Sequence, residues 1–467
     1  MSFKKVLLVN TNLEKAPYPV PPLGLCLLAA RLEHRYEVKI YDGVFDEGRE
    51  LIHLVQQFQP DFIGFSIRNI DDIVMDRNIF YPDDILSKFI LPVKSLTHVP
   101  IILGGSGFSI FPEEMMRMTG ADFGIVGEGE ELLPQLLDDL VAGKEREQLS
   151  KLMTADGRIV QNVQEFSEMD QRIDFKPYLA KGGYSIQTKR GCSHGCIYCT
   201  YPCIEGSRFR TRNPSDIADE IEQVHRRLGY LTFEFVDSTF NDPQGHAESI
   251  CREIIKKKIK VRLRTMGINP RHTSEALFEL MREAGFRQID ATPDSASPVM
   301  LKNLNKGFDR WEIEKMAGLI KKYNLPTMWF FLFGGPGENP NTFHETVDFI
   351  DSFVSEEDMV YMTAGLRIYP NTPLYQIAID ENKIKPGQSI LRPPAYYYPE
   401  NFPKTQIDEL MHQVSLTRNN CIPAMETSPP SEMIQEALVL RRKERLDEPF
   451  FRTLLRIRKK WRLTARV

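Results

Sequence analysis

Three cysteines, Cys192, Cys196 and Cys199, sit on the short stretch 187–201, which reads Q-T-K-R-G-C-S-H-G-C-I-Y-C-T-Y. The C-x3-C-x2-C spacing puts three thiolates on one loop, an arrangement that suits an iron–sulfur cluster. A structural zinc site ordinarily takes a fourth ligand and C-x2-C pairs. Three ligands to a four-iron cluster instead leave one iron open to bind another group, and the chemistry belongs to that iron. His194 lies between two of the cysteines, with poor reach for a tetrahedral zinc set, and reads as a solvated loop residue. Cys203, four residues beyond Cys199, is a further candidate for contact with the cluster.

A C-x3-C-x2-C loop with an aromatic residue, Tyr198, directly before its last cysteine resembles the cluster motif of the radical S-adenosylmethionine (SAM) superfamily. The resemblance implies that the open iron chelates the amino and carboxylate groups of SAM. One electron from the cluster would then split the C5′–S bond and give a 5′-deoxyadenosyl radical.

The elements around the loop read as α/β. Residues 5–10, 36–42, 61–67, 99–104 and 121–126 are short apolar runs, as strands buried on both faces would be, with helical stretches such as 23–33 and 50–57 between them. Such alternation predicts a doubly wound, Rossmann-like parallel sheet that binds its ligand beyond the carboxyl ends of its strands. This domain, expected over 1–150, resembles the cobalamin-binding domain that precedes many radical SAM cores. The resemblance rests on Pro22-Leu23-Gly24, Gly104-Gly105 and Gly127-Glu128-Gly129-Glu130. It implies cobalamin contacts from Asn10, Ser66, Arg68, Gly104, Gly105, Gly127, Glu128 and Gly129, with the strand-end glycines admitting a large flat ligand. The D-x-H-x-x-G motif that supplies an axial histidine is missing, since the first strand ends N-T-N-L-E-K. Arg68 then either faces the lower side of the corrin, where a guanidinium cannot coordinate, or pairs with Asp71 or Asp72.

Residues 151–183 read as a linker, and 184–385 as a second βα series, in the superfamily a partial (β/α)6 barrel whose reactive end is the carboxyl end of its strands. The resemblance implies SAM contacts from Asp237 and Ser238, from Arg264, from Asp294-Ser295 where many relatives have Glu-Ser, and from Gly335, Pro336, Gly337 and Glu338. Lys306-Gly307 matches the family pattern but reads as a helix-to-loop feature. The aromatic run 328–333 reads as barrel core and domain-interface packing, with Trp329 or Phe331 as candidates to border the substrate where alternate residues point inward.

The rest, 386–467, reads as a mostly helical extension, with Tyr396, Tyr397 and Tyr398 as candidates for substrate contact. Its tail, 441–467, carries eleven Lys/Arg against three Asp/Glu with apolar residues interleaved. That composition fits either a docked helix or one lying on an anionic membrane.

At 467 residues the chain is long enough for two or three domains. Its net charge of −5 argues against nucleic acid as a partner, and no apolar run is long enough to span a membrane. Seven cysteines, an odd number with three clustered, argue against a disulfide framework and for a reducing cytoplasm. The combined resemblance implies a cobalamin-dependent radical SAM methyltransferase acting on a carbon, or phosphorus, of a small metabolite or peptide. A flavodoxin or ferredoxin would supply its electrons. The alternatives are a cobalamin-dependent rearrangement or cyclisation and a non-catalytic cobalamin- or metal-binding regulatory module. A methylthiotransferase would carry a second three-cysteine set in its first domain, where Cys26 stands alone.

Overall fold

Residues 5–10, K-V-L-L-V-N, are apolar on both faces and form β1 (Lys5–Asn10), a strand covered on both sides: Val6 and Leu8 pack into one core, Leu7 and Val9 into another. The same logic yields β2 (Glu37–Asp42), β3 (Phe62–Ser66), β4 (Ile101–Gly104) and β5 (Phe123–Val126). The computed structural model describes residues 3–15, 18–74, 77, 79–154, 166–179, 182–426 and 429–464. The strands pair in parallel in the order β2-β1-β3-β4-β5, and β6 (Leu152–Thr154) extends the sheet beyond residue 150. The chain leaves β1 for β2 on one side and reaches β3 on the other, so a crevice opens at the carboxyl ends of β1 and β3.

Of the expected linker, 155–165 and 180–181 lie outside the described residues. The rest straps the two halves together. Tyr178 donates to Asp42 Oδ2 at 2.6 Å, and the Tyr184 hydroxyl accepts from Met169 N at 3.0 Å.

A second parallel sheet starts at β7 (Tyr184–Ile186). The cluster loop follows, flanked by the two-residue antiparallel pair β8 (Lys189–Arg190) and β9 (Arg210–Thr211). Then come β10 (Thr232–Phe235), β11 (Arg262–Ile268), β12 (Phe286–Asp294), β13 (Thr327–Phe333) and β14 (Met359–Ala364). Beyond them, β15 (Leu366–Arg367) pairs with β16 (Tyr396–Tyr397), and β17 (Cys421–Pro423), from the extension, adds a seventh strand beside β14.

On β13 the inward residues are not those expected. Trp329 and Phe331 are buried against Phe349 of the outer helix Pro340–Phe353, whereas Phe330 faces inward and stacks on Tyr361 at 5.4 Å. With a side-chain period of two, a single step of register exchanges the two sets.

The basic tail is docked. Helix Phe450–Thr464 places Phe451 and Leu455 on Met359 and Ile422, at the amino ends of the barrel strands, while Arg452 meets Asp358 at 3.2 Å. Asp447, in the preceding turn, reaches Arg262 at the start of β11 at 3.1 Å. The hairpin of Ser431–Glu444 and Phe450–Thr464 thus floors the barrel, opposite the cluster loop. Residues 465–467 lie outside the described residues. Among the described residues no helix is long and apolar enough to cross a membrane.

Candidate active site

The cluster loop is held from below by carboxylates. Asp237, just past β10, accepts from Thr188 N and Thr188 Oγ1 at 2.7 Å each and pairs with Lys189 Nζ at 3.2 Å, with neither charged side chain reaching solvent. Asp237 therefore anchors the loop and does not face a SAM amino group, which corrects its expected role. Ser238 donates to Gly191 O at 3.0 Å and is hydrogen-bonded to the Cys192 thiol.

The three thiols feel one another. Burial raises all three, with Cys199 pushed up to about 12. Among the described residues no three His, Cys, Asp or Glu side chains converge tightly enough for a single metal ion. A four-iron cluster spreads its thiolates over three different irons, so wider spacing is what it needs. Cys203 lies apart, its Sγ on Asn371 O at 3.5 Å. His194 is not solvated: its Nε2 meets Asp242 at 2.8 Å and Asn269 at 3.0 Å, pinning the loop to the ends of β10 and β11.

Beside Cys196 lies a group that the sequence reading passed over. Lys306 Nζ pairs with Asp294 Oδ2 at 2.6 Å and donates to the Tyr198 hydroxyl at 3.2 Å, while Tyr198 in turn donates to Asp294. Lys306 is the cation that lowers Cys196 against the effect of burial. Asp294 holds φ at 64°, a conformation costly for a non-glycine residue, so its carboxylate is fixed on Lys306. Lys306 lies twelve residues beyond the end of β12, too far for local spacing to tie it to Asp294. Ser295 is spent on Thr346, at 3.1 Å, and on Ser297 N, and so is not a SAM contact.

The Gly334–Glu338 turn folds back on itself. Glu338 Oε2 accepts from Gly334 N and Gly335 N, while Oε1 is buried without a hydrogen-bond partner, and burial pushes the carboxyl up to about 7. A Cβ at Gly335 would meet Met300, and Pro336 O accepts from Asn303, whose amide also crowds Gly337.

The first domain meets this loop through its glycine- and acid-rich turn. Glu130 pairs with Arg190 at 2.5 Å, and Glu128 makes a two-pronged pair with Arg210, one bond at 2.9 Å. Glu128 thus clamps the two domains together; Gly127 N donates to Ser109 Oγ, and Gly129 faces Leu28. Gly105, at φ 100°, and Gly107 receive backbone rather than a ligand: a Cβ would stand 2.6 Å from Ile67 O and 2.8 Å from Arg68 O. Both positions let the 66–69 loop approach. Gly104 is open, with nothing nearer than 3.8 Å to a Cβ there, and Gly24 has nothing within 4 Å. Asn10 is held by Asp42 at 2.8 Å, and Ser66 offers its carbonyl to Thr11.

Arg68 leaves the loop toward the barrel. It does not pair with Asp71, held by Arg367 at 2.9 Å, or with Asp72, held by Arg77 at 3.4 Å; its Nη1 donates to Asn69 at 3.1 Å. The side chain is exposed, yet desolvation lowers its pKa, and its charged neighbours are Tyr201, Glu14, Glu234 and Tyr18. Tyr201, directly after the cluster loop, is 38% exposed under the same conditions.

Tyr18, from the first domain, donates to Glu234 Oε1 at 2.6 Å, and its ring lies 4.3 Å from the Arg264 guanidinium. Arg264 is the third residue of β11, not its end, and meets Glu234 at 2.7 Å. It faces the lumen, and the expected SAM contact at a strand end is not where it stands. Tyr397 and Tyr398 are tied to Glu381 and Ala364 O, at 2.6 and 3.2 Å.

The residues present fit three cofactors: three neighbouring thiols for a cluster, Ser238 and the unpartnered Glu338 Oε1 for SAM, and the uncrowded Gly24 and Gly104 for a corrin. Residues 186–350 match the family model described as the radical SAM superfamily, and residues 9–137 match the B12 binding domain. An uncharacterised methyltransferase of Pyrococcus horikoshii is 26% identical over 404 residues, covering 82% of this chain and 84% of that one. Tryptophan 2-C-methyltransferase of Streptomyces laurentii is 24% identical over 442 residues, 78% and 73% of the two chains. Among solved structures, the radical SAM methyltransferase TsrM of Kitasatospora setae, with tryptophan and a SAM analogue bound, is 25% identical at TM-score 0.73, covering 81% and 76%. With cobalamin and a [4Fe-4S] cluster bound, TsrM superposes over the whole of both chains at TM-score 0.80 and 21% identity.

Proposed function

We propose, for a chain that belongs to the cobalamin-dependent radical SAM enzymes, that it methylates a carbon, or phosphorus, of a small molecule or peptide. One observation carries this reading: Glu128 and Glu130 of the B12-binding domain are locked to Arg210 and Arg190 on the two short strands that flank the cluster loop, which supports placing the two cofactor sites side by side. When bound, the cluster and SAM supply a hydrogen-abstracting radical and cobalamin supplies the methyl group. The protein's own share is positional. Asp237, Lys189, His194 and Asp242 fix the cluster loop, and Lys306 sets a positive charge beside Cys196. Ser238 and the Gly334–Glu338 turn are assigned to SAM, and the crevice of Asn10, Ser66 and Gly104 to cobalamin. Arg68 is assigned to the lower corrin face, where a guanidinium donates no lone pair. Fixed groups of this kind accelerate a reaction by alignment and by excluding water.

The test is anaerobic purification with cluster reconstitution and hydroxocobalamin, then a visible spectrum and mass spectrometry of the reaction with SAM and a reduced flavodoxin or ferredoxin. Cobalamin retained after desalting, with 5′-deoxyadenosine and S-adenosylhomocysteine both formed once substrate is present, is the expected result. Cluster and 5′-deoxyadenosine without retained cobalamin would overturn methyl transfer. Retained cobalamin with an unmethylated product would point to rearrangement or cyclisation.

A further inference from the structure

The cluster loop is closed by the first domain on one side and reaches the surface on another. Glu128 and Glu130 hold its flanking strands, and within residues 191–199 only Ser193 and Gly195 are exposed, each next to a cluster cysteine. What surrounds those two residues is basic. Gly195 O accepts from Asn305 Nδ2 at 2.7 Å, and exposed Lys302 stands three residues earlier, on the helix Pro298–Asn303. His194 meets Asn269 at 3.0 Å, and Asn269 in turn accepts from the backbone of exposed Arg271 at 3.0 Å. On the remaining side His194 stands edge-on to Phe209, at 6.0 Å, and exposed Arg208 directly precedes that ring.

Among the described residues the side chains of Arg208, Arg271 and Lys302 make no hydrogen bond or ion pair, in a chain whose net charge is −5. The acids nearby are already engaged: Asp242 with His194 and His272, at 2.8 and 3.3 Å, and Asp309 with Glu312 in the cap of the helix Arg310–Tyr323. Trp311 follows that cap and is 59% exposed. Lys315, one turn further along the same face, donates to Thr273 O at 2.8 Å, so the face that carries Trp311 lies along the turn of Arg271.

We propose that this face docks the protein that reduces the cluster, and that the partner is an acidic one-electron carrier of the ferredoxin or flavodoxin kind. The proposal rests on the enzyme reading and concerns how the electron arrives. In the step, the reduced carrier loses one electron and the oxidised cluster gains it; no proton or bond is transferred. Charge selects the partner. Cations set around a patch, and not converging on one point, suit an extended acidic surface better than a small anion. The chain as a whole repels an acidic protein, so these local cations are what steers one to the loop. Trp311 supplies an exposed aromatic anchor at the edge of the patch.

The experiment uses the anaerobic, reconstituted full chain with a plant-type ferredoxin, a bacterial ferredoxin and a flavodoxin, all acidic. Binding of each oxidised carrier is read by microscale thermophoresis, and reduction of the cluster by each reduced carrier by stopped-flow absorbance. At least one carrier should bind and reduce the wild-type cluster, with affinity and rate both falling as salt rises from about 20 to 200 mM. The triple variant Arg208→Glu, Arg271→Glu, Lys302→Glu should weaken binding and slow reduction about tenfold or more. Its iron content, its circular dichroism and its reduction by reduced methyl viologen should match wild type. Trp311→Ala should weaken binding several-fold and leave the salt dependence unchanged. The same charge reversal at Arg442, Lys443 and Arg445, exposed on the floor of the barrel, should change neither readout. Equal weakening by that control, or indifference to the triple variant, would overturn the proposal, as would a wild-type cluster that viologen reduces and no carrier does. Loss of binding to phosphatidylserine vesicles in the triple variant, with carrier reduction intact, would assign the face to a membrane and also overturn it. A wild-type chain that reconstitutes no reducible cluster would instead overturn the enzyme reading, while thermophoresis would still test the face.

Discussion

The rim of the barrel and its lumen are built from the same kinds of residue and treat them in opposite ways. At the rim, Asp237 with Lys189, Asp294 with Lys306, and Glu130 with Arg190 are closed pairs at 2.5–3.2 Å, desolvated and mutually satisfied. In the lumen, no hydrogen bond among the described residues reaches Asp290 Oδ2 or Arg264 Nη2, although Glu234 lies 2.7 Å from Arg264 Nε. Closed pairs fix geometry, because breaking one leaves a buried charge. Open groups keep their free energy for a ligand.

The comparison can be broken at the rim. Cys196→Ala should abolish 5′-deoxyadenosine formation from SAM, measured by chromatography after reconstitution; persistent cleavage would refute the cluster assignment. Arg190→Ala should cost about 3–5 kcal/mol in denaturant unfolding, since it strands Glu130. Burial raises Glu130, and Arg190 more than reverses this, so the folded-state pKa lies below the unfolded one. The wild-type contribution is therefore present above the unfolded pKa and is lost as pH falls through the folded value. In Arg190→Ala the sign should invert, with stability improving as pH falls.

The lumen sharpens the contrast with a smaller effect. Asp290 is raised from 3.8 to about 7 by burial, with Glu234 adding and Gln288 and Arg264 opposing. A raised carboxyl costs stability progressively as pH climbs from the unfolded value through the folded one. Asp290→Asn should accordingly stabilise the protein at pH 8 relative to pH 5, by roughly 1–3 kcal/mol in paired melts. A gain independent of pH would show that Asp290 is partnered after all. Smallest of all, Arg68→Gln removes one hydrogen bond to Asn69 and should change stability by no more than about 0.5 kcal/mol. It should nonetheless shift the visible spectrum of bound cobalamin; an unchanged spectrum would place Arg68 away from the corrin.

The cysteine loop was legible because ligand spacing is local: three thiols within eight residues need no tertiary information. The strands of both sheets were legible for a related reason, since runs apolar on both faces are what doubly covered parallel strands require. Register was not. Trp329 and Phe331 against Phe330 differ by one step of a two-residue period, and only the helix Pro340–Phe353, packing from outside, decides which set turns inward. The ion pairs of the glycine–glutamate motif were not legible, because nothing in Gly127-Glu128-Gly129-Glu130 reveals two arginines 60 and 82 residues away.

By itself, then, the sequence determined a three-cysteine loop with the spacing of a cluster motif and two parallel α/β sheets in series, which depend on spacing and periodicity within short windows, and the cofactor class through the family resemblance those motifs carry. The tertiary structure alone decided which charges are spent and which are free. Whether Arg68, Arg264 or Asp290 has a partner depends on Coulomb and hydrogen-bond contacts, which fall away within a few ångströms and join residues far apart in the chain. The basic tail shows this most plainly: its composition suited a membrane as well as a docking face, and the apolar ends of β14 and β17 turned it into the floor of the barrel.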